Sequence, residues 1–202
     1  MLVWGALAVA RPGGAAGQAT PDSVVYRISP ASRLDVLTGK SGLFGFAGHS
    51  HRIRARAFSG TIVQVPSDLT RSRVEVVVAT DSLEALTPPD TAELRKVTET
   101  MRREVLHTDQ YPEIRLVSRS VTPAEGGLRL VAALTLGGET HEVPIDVTVE
   151  AGADTLHARC QFSVKQSDFG IKPYSGGPGG TVKVADRVKF DIDIVGVREA
   201  SP

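Results

Sequence analysis

The chain has 202 residues, 41% of them hydrophobic and 23% charged, with 23 Lys+Arg balanced by 23 Asp+Glu. That is an ordinary globular composition, long enough to bury a core without staples. Zero formal net charge argues against nucleic-acid binding, and a lone cysteine, Cys160, excludes an intramolecular disulfide or a multi-cysteine metal site.

Met1–Ala10 is an apolar run without charge, followed by Arg11, Pro12 and small residues to Ala19. It is too short to span a bilayer and suits the apolar region of a secretory signal, cleaved at or before Ala19. Residues 20–202 are then expected to form one domain.

Val24–Ile28 is short and β-branched, as in a strand. Arg52–Phe58 alternates Arg52, Arg54 and Arg56 with Ile53, Ala55 and Ala57; Ser59-Gly60 is read as a bulge or turn, and Thr61–Val65, with Ile62, continues the pattern. Arg73–Thr80 sets Val74, Val76 and Val78 on one face. Thr91–His107 changes period: Leu94, Val97, Met101 and Val105 form one helical stripe, Asp90 and Glu93 suit the N-terminus, and Glu99/Arg103 are spaced for an ion pair. After Pro112, Glu113–Val117 places Ile114 and Leu116 together.

Leu128–Leu136, with Leu130 and Leu134 inside it, runs through Gly137-Gly138 into Glu139–Glu150, where Val143, Ile145, Val147 and Val149 alternate with polar residues. Thr155–Lys165 puts Cys160 and Phe162 on its apolar face. Val188–Val197 does the same with Phe190, Ile192 and Ile194. Strands with one apolar and one wet face point to an antiparallel set, a sandwich or a closed barrel.

The chemical motifs are sparse. Asp168-Phe169-Gly170 lacks every companion of the kinase magnesium motif, and neither G-x-S-x-G nor H-E-x-x-H occurs. The glycine-rich stretch before Thr181 leads into a strand-like run rather than a helix, so it is no phosphate loop. Cys160 reads as a small buried hydrophobe. His49 and His51 would share one strand face, a weak metal pair without a nearby carboxylate. Arg52, Arg54 and Arg56 read as a solvated outer face paired to acids, with contact to an anionic membrane surface as the alternative.

Several pieces in order resemble the YceI-like family of bacterial proteins: Gly48-His49-Ser50-His51, Phe58-Ser59-Gly60-Thr61-Ile62, Tyr111-Pro112-Glu113-Ile114, Leu134–His141, Asp168-Phe169-Gly170-Ile171 and Val184–Val188. The chain departs from the usual pattern with Lys165-Gln166-Ser167 before the Asp168 piece. The resemblance implies a mainly β fold, an antiparallel lipocalin-like β-barrel with one amphipathic α-helix. It further implies a periplasmic or secreted carrier that holds a polyisoprenoid, isoprenoid quinone or similar amphiphile in an apolar lumen, with no enzymatic activity and no cofactor. The lumen-facing candidates are then Ile53, Phe58, Ile62, Val76, Leu94, Val97, Met101, Val105, Ile114, Leu116, Leu130, Leu134, Ile145, Val147, Phe162, Phe169, Phe190 and Ile192. The alternatives are a metal-binding or stress-response β-domain using His49 and His51, or a lipid-acting enzyme whose nucleophile and base the sequence does not show.

Overall fold

The computed structural model describes residues 22–40, 50–87, 91–176 and 182–200. Its strands are β1 (Val24–Ile28), β2 (Arg33–Lys40), β3 (Arg52–Ala55), β4 (Phe58–Gln64), β5 (Arg73–Ala79) and β6 (Leu83–Ala85), then, after helix α1 (Thr91–Thr100), β7 (Glu113–Ala124), β8 (Gly127–Leu136), β9 (Glu139–Ala151), β10 (Thr155–Lys165), β11 (Ser175–Gly176) and β12 (Val182–Arg198). Every pairing is antiparallel, and the order β1-β4-β5-β7-β8-β9-β10-β12 returns to β1 through Tyr26↔Arg198. The result is a closed eight-stranded barrel.

Three walls of that barrel are broken strands. β1 faces β4 and, farther along, β2 faces β3, with the same running direction (Tyr26↔Ile62, then Asp35↔Arg54). β5 and β6 likewise follow β4 and β3. Long β12 spans both halves, pairing with β2 from Val184 to Asp193 and with β1 from Gly196 to Arg198. Closure through β1 and β12 pairs the lower half of the ring all the way round, whereas in the upper half the described β6 pairs only with β3.

Alternation explains the walls. In β9, Val143, Ile145 and Val147 are buried and their neighbours exposed. Gly137 and Gly138, at φ 58° and 81°, make the two-residue turn between β8 and β9, a left-handed pair that glycine adopts without strain. Pro144 falls where β9 has already parted from β10, whose pairing with it runs only from Leu156 to Cys160, so the missing amide breaks no bond to that neighbour.

The structure departs from the alternation pattern in three places. Ser59-Gly60 is neither bulge nor turn: the chain bends at Arg56-Ala57, and Gly60 lies mid-strand opposite Val76. A Cβ there would sit 2.2 Å from the Glu75 carbonyl oxygen and 2.6 Å from Ile28 Cδ1, so the close approach of strands requires glycine. β2 and β6 are the second and third departures. In β2 the outward Leu37 blurs the alternation of Leu34, Val36 and Thr38, and β6 is only three residues long.

The helix turns from α to π geometry at Met101–Val105 and is capped by Leu106, after which His107 takes φ 46°. It lies over β6: Ala85 N donates to Thr98 Oγ1 at 3.0 Å and Arg102 Nε donates to Leu83 O at 2.9 Å. Because β7 begins opposite Ala79 and does not continue beside β6, the helix crosses the upper mouth of the barrel between them. Arg103 and Glu99 pair at 3.0 Å on its outer face. Residues 69–71 form a short turn against β7 at the lower end. The N-terminal run to Ala19, Asp90, His49 and Gly177–Gly180 lie outside the described residues.

On the outer surface, Asp35 is fully buried under two arginines. Arg54 Nε and Nη2 donate to its two oxygens at 2.7 and 2.8 Å, and Arg52 Nη1 donates to Oδ2 at 2.8 Å. Arg52 also lies 3.5 Å from Asp191, and Arg56 pairs with Glu84 at 2.8 Å. The arginine row therefore carries acidic partners throughout, from β12 and β2 for Arg52 and Arg54 and from β6 for Arg56.

Candidate functional site

The inner faces of the barrel enclose two apolar chambers. The lower one, about 170 Å³, is walled by inward residues of β4, β5, β7, β8, β9, β10 and β12, with Leu69 of the lower turn at its end. The upper one, about 500 Å³, lies under the helix and carries polar groups around its rim: Thr38, His51, Glu93, Lys96, Tyr174 and Lys183.

Among the lumen candidates, Ile62, Val76, Leu116, Leu130, Leu134, Ile145, Val147, Phe162 and Ile192 face the lower chamber. Ile53, Val97, Met101 and Val105 face the upper one, and Ile114 and Phe190 face both. Three candidates line neither chamber. Phe58 points inward but packs among Ile28, Ala55 and Val78 where the strands bend. Leu94 is half-buried at the outer turn of the helix. Phe169 belongs to the turn Gln166–Phe169, is 2% exposed, and meets the His141 ring edge-on at 4.9 Å. Gly170, at φ 68°, ends that turn, and Asp186 accepts from the Ser167 amide and hydroxyl, which holds the Asp186 carboxyl below its ordinary range.

The wall also includes residues that the alternation did not single out. Leu34 and Val36 come from the unrecognised β2, Ile171 and Tyr174 from the segment after the Gln166–Phe169 turn. Gln166, nearly buried, donates from Nε2 to Ala185 O at 2.9 Å and faces the upper chamber. The spacing of β2 was the one available signal.

Many inward residues at mid-barrel, including Val76, Ile114, Leu116, Phe162 and Ile192, are only half-buried. Inward residues of a solid core are covered by one another. Here the residual exposure is the surface of the lumen. Leu134 belongs to both situations: it is 2% exposed, packed in the larger core cluster, and its edge reaches the lower chamber.

Cys160 sits on that wall. Burial, with the negative charge of Asp191 nearby, pushes its thiol up to about 12, the opposite of an activated thiolate. Cys160→Ser is expected to lower stability by at most ~2 kcal/mol and to leave the fold intact, read by thermal unfolding. His51 Nδ1 donates to Thr87 O at 2.6 Å, a structural bond on the rim. Among the described residues no group of three or more His, Cys, Asp or Glu side chains is placed to hold a metal ion. No described helix is long and apolar enough to cross a membrane.

The YceI-like domain family matches residues 26–196. No curated protein matches the sequence. Among solved structures, the chain is similar to BcnA of Burkholderia cenocepacia, with 19% identity over 83% of this chain and 98% of that one, TM-score 0.67. It is similar as well to a polyisoprenoid binding domain from Saccharophagus degradans implicated in plant cell wall breakdown, with 13% identity over 87% and 98% of the two chains, TM-score 0.60. A Campylobacter jejuni YCEI protein is 14% identical over 74% of this chain and 85% of its own, TM-score 0.57.

Proposed function

The chain belongs to the YceI-like domain family, and from that membership and the lumen we propose that it is a carrier that sequesters a long apolar chain inside the barrel. The half-buried inward side chains at mid-barrel carry this reading, since they pack on one another only in part and present the rest of their apolar surface to the chamber. The Saccharophagus degradans neighbour, described as a polyisoprenoid binding domain, supports isoprenoid chains as the ligand class.

An amphiphile would lie with its tail in the barrel and its polar end at the upper rim, where His51, Lys96, Tyr174 and Lys183 gather. A chain burying about 600 Å² of apolar surface gains about 15 kcal/mol gross at ~25 cal/mol per Å². Association costs of roughly 4–15 kcal/mol leave room for micromolar binding. The role is binding rather than catalysis: the lumen wall is apolar, and its one thiol is held protonated. Export from the cytoplasm fits this role and the apolar run Met1–Ala10.

The test is mass spectrometry of an organic extract of the purified protein. A stoichiometric apolar chain lost on delipidation is the expected result. An extract free of apolar material, together with failure of the delipidated protein to take up any isoprenoid alcohol, would overturn the proposal.

A further inference from the structure

The two chambers meet at two side chains. Ile114 stands on β7 and Phe190 on β12, and these strands are four places apart in the ring of eight, on opposite walls. Both residues face both chambers. Phe190 is held in place by its cross-strand neighbour Phe162, the rings parallel within 1° and 4.7 Å apart. Ile114 is half-buried, so it has space to yield; Phe190, 8% exposed and stacked, does not.

We propose that Ile114 and Phe190 form a partition that sets the length of chain the lumen accepts, a selectivity that rests on the carrier reading. A dry apolar cavity of about 150 Å³ holds one benzene. By that measure the upper chamber, about 500 Å³, takes a short isoprenoid tail of a few units, and the lower one, about 170 Å³, takes one more compact group. A tail that enters from the polar rim fills the upper chamber first. To go deeper the tail must push Ile114 aside and crowd past the Phe190 ring, which its stacking on Phe162 holds in place, and the cost of that crowding offsets the gain from burying more chain. Affinity therefore rises with length until the upper chamber is full and then levels off.

The test is a length series of farnesol, geranylgeraniol and solanesol, delivered from cyclodextrin to the delipidated full chain and followed by calorimetric titration. Wild type, Phe190→Leu and Ile114→Ala are compared, with thermal unfolding to establish that each variant is folded. For wild type, solanesol and geranylgeraniol are expected to bind within about threefold of each other. In both variants the ratio is expected to shift toward the longer chain by about tenfold. Wild-type affinity that climbs steadily through solanesol would overturn the partition, and the wild-type series decides this even if a variant fails to fold. An unchanged ratio in folded variants would overturn it as well. Failure of all three alcohols to bind would instead bring down the carrier reading.

Discussion

Arg54→Ala is expected to destabilise the protein by about 3–5 kcal/mol, because it strips a buried carboxylate of two of its three charged hydrogen bonds. For a domain of this size that corresponds to a fall of roughly 6–20 °C in Tm. Asp35 is the cause. Burial alone would raise its pKa, but the hydrogen bonds from Arg54 and Arg52 outweigh burial and hold it below the ordinary 3.8. A carboxyl with a depressed folded-state pKa adds stability at pH values above the unfolded one, and that stability is lost as pH falls through the depressed value. In Arg54→Ala the balance tips toward burial and the folded-state pKa rises. The variant's deficit against wild type should therefore be greatest near neutral pH and shrink on acidification toward about pH 4. Urea unfolding across that range checks both the size and the sign. A deficit that is small, or that grows on acidification, would mean that Arg52 and solvent support Asp35 without Arg54.

Met101→Asp should combine a loss of stability with a loss of bound ligand. Met101 is 8% exposed, packs with Leu34, Ala55 and Leu83, and faces the upper chamber from the π-turn of the helix. A carboxylate there replaces an apolar contact and costs roughly 3 kcal/mol or more unless it is protonated. The helix is fastened to the barrel largely through Thr98, Arg102 and this apolar contact. Thermal unfolding and the apolar content of an organic extract are the two measurements. Met101→Leu, of similar volume, should retain both. Wild-type stability and ligand content in Met101→Asp would place the helix away from the lumen.

Much of the barrel was readable from residue alternation, and the reasons are local. β9 and β10 contrast their faces at nearly every position, so Val143, Ile145 and Phe162 declare their side directly. The helix stripe of Val97, Met101 and Val105 was equally plain, although Leu94, on the same stripe, is half-buried in the first turn and lines neither chamber. What could not be read depends on partners distant in sequence. Asp35 looks like an interruption in a weak strand until Arg52 and Arg54 arrive from β3. Gly60 resembles a turn residue, and its role appears only with the Glu75 carbonyl beside it. Phe58 and Phe169 carry the right chemistry for a lumen wall, but one fills the bend between β3 and β4 and the other anchors the turn that follows β10. Alternation gives the side of a strand on which a residue lies. It does not distinguish a wall that faces space from one that faces another side chain, and that distinction is the difference between a carrier and a packed β-domain.

Photo-crosslinking with a benzophenone-bearing isoprenoid alcohol tests occupancy of the lumen most directly. The delipidated protein is loaded, irradiated and digested, and the labelled residues are mapped by mass spectrometry with and without excess geranylgeraniol. The carrier account predicts label on inward residues such as Val97, Met101, Ile114 and Phe190, suppressed by the competitor. Label confined to outward positions such as Arg129, Asp146 or Arg159, or label that the competitor leaves unchanged, would contradict it.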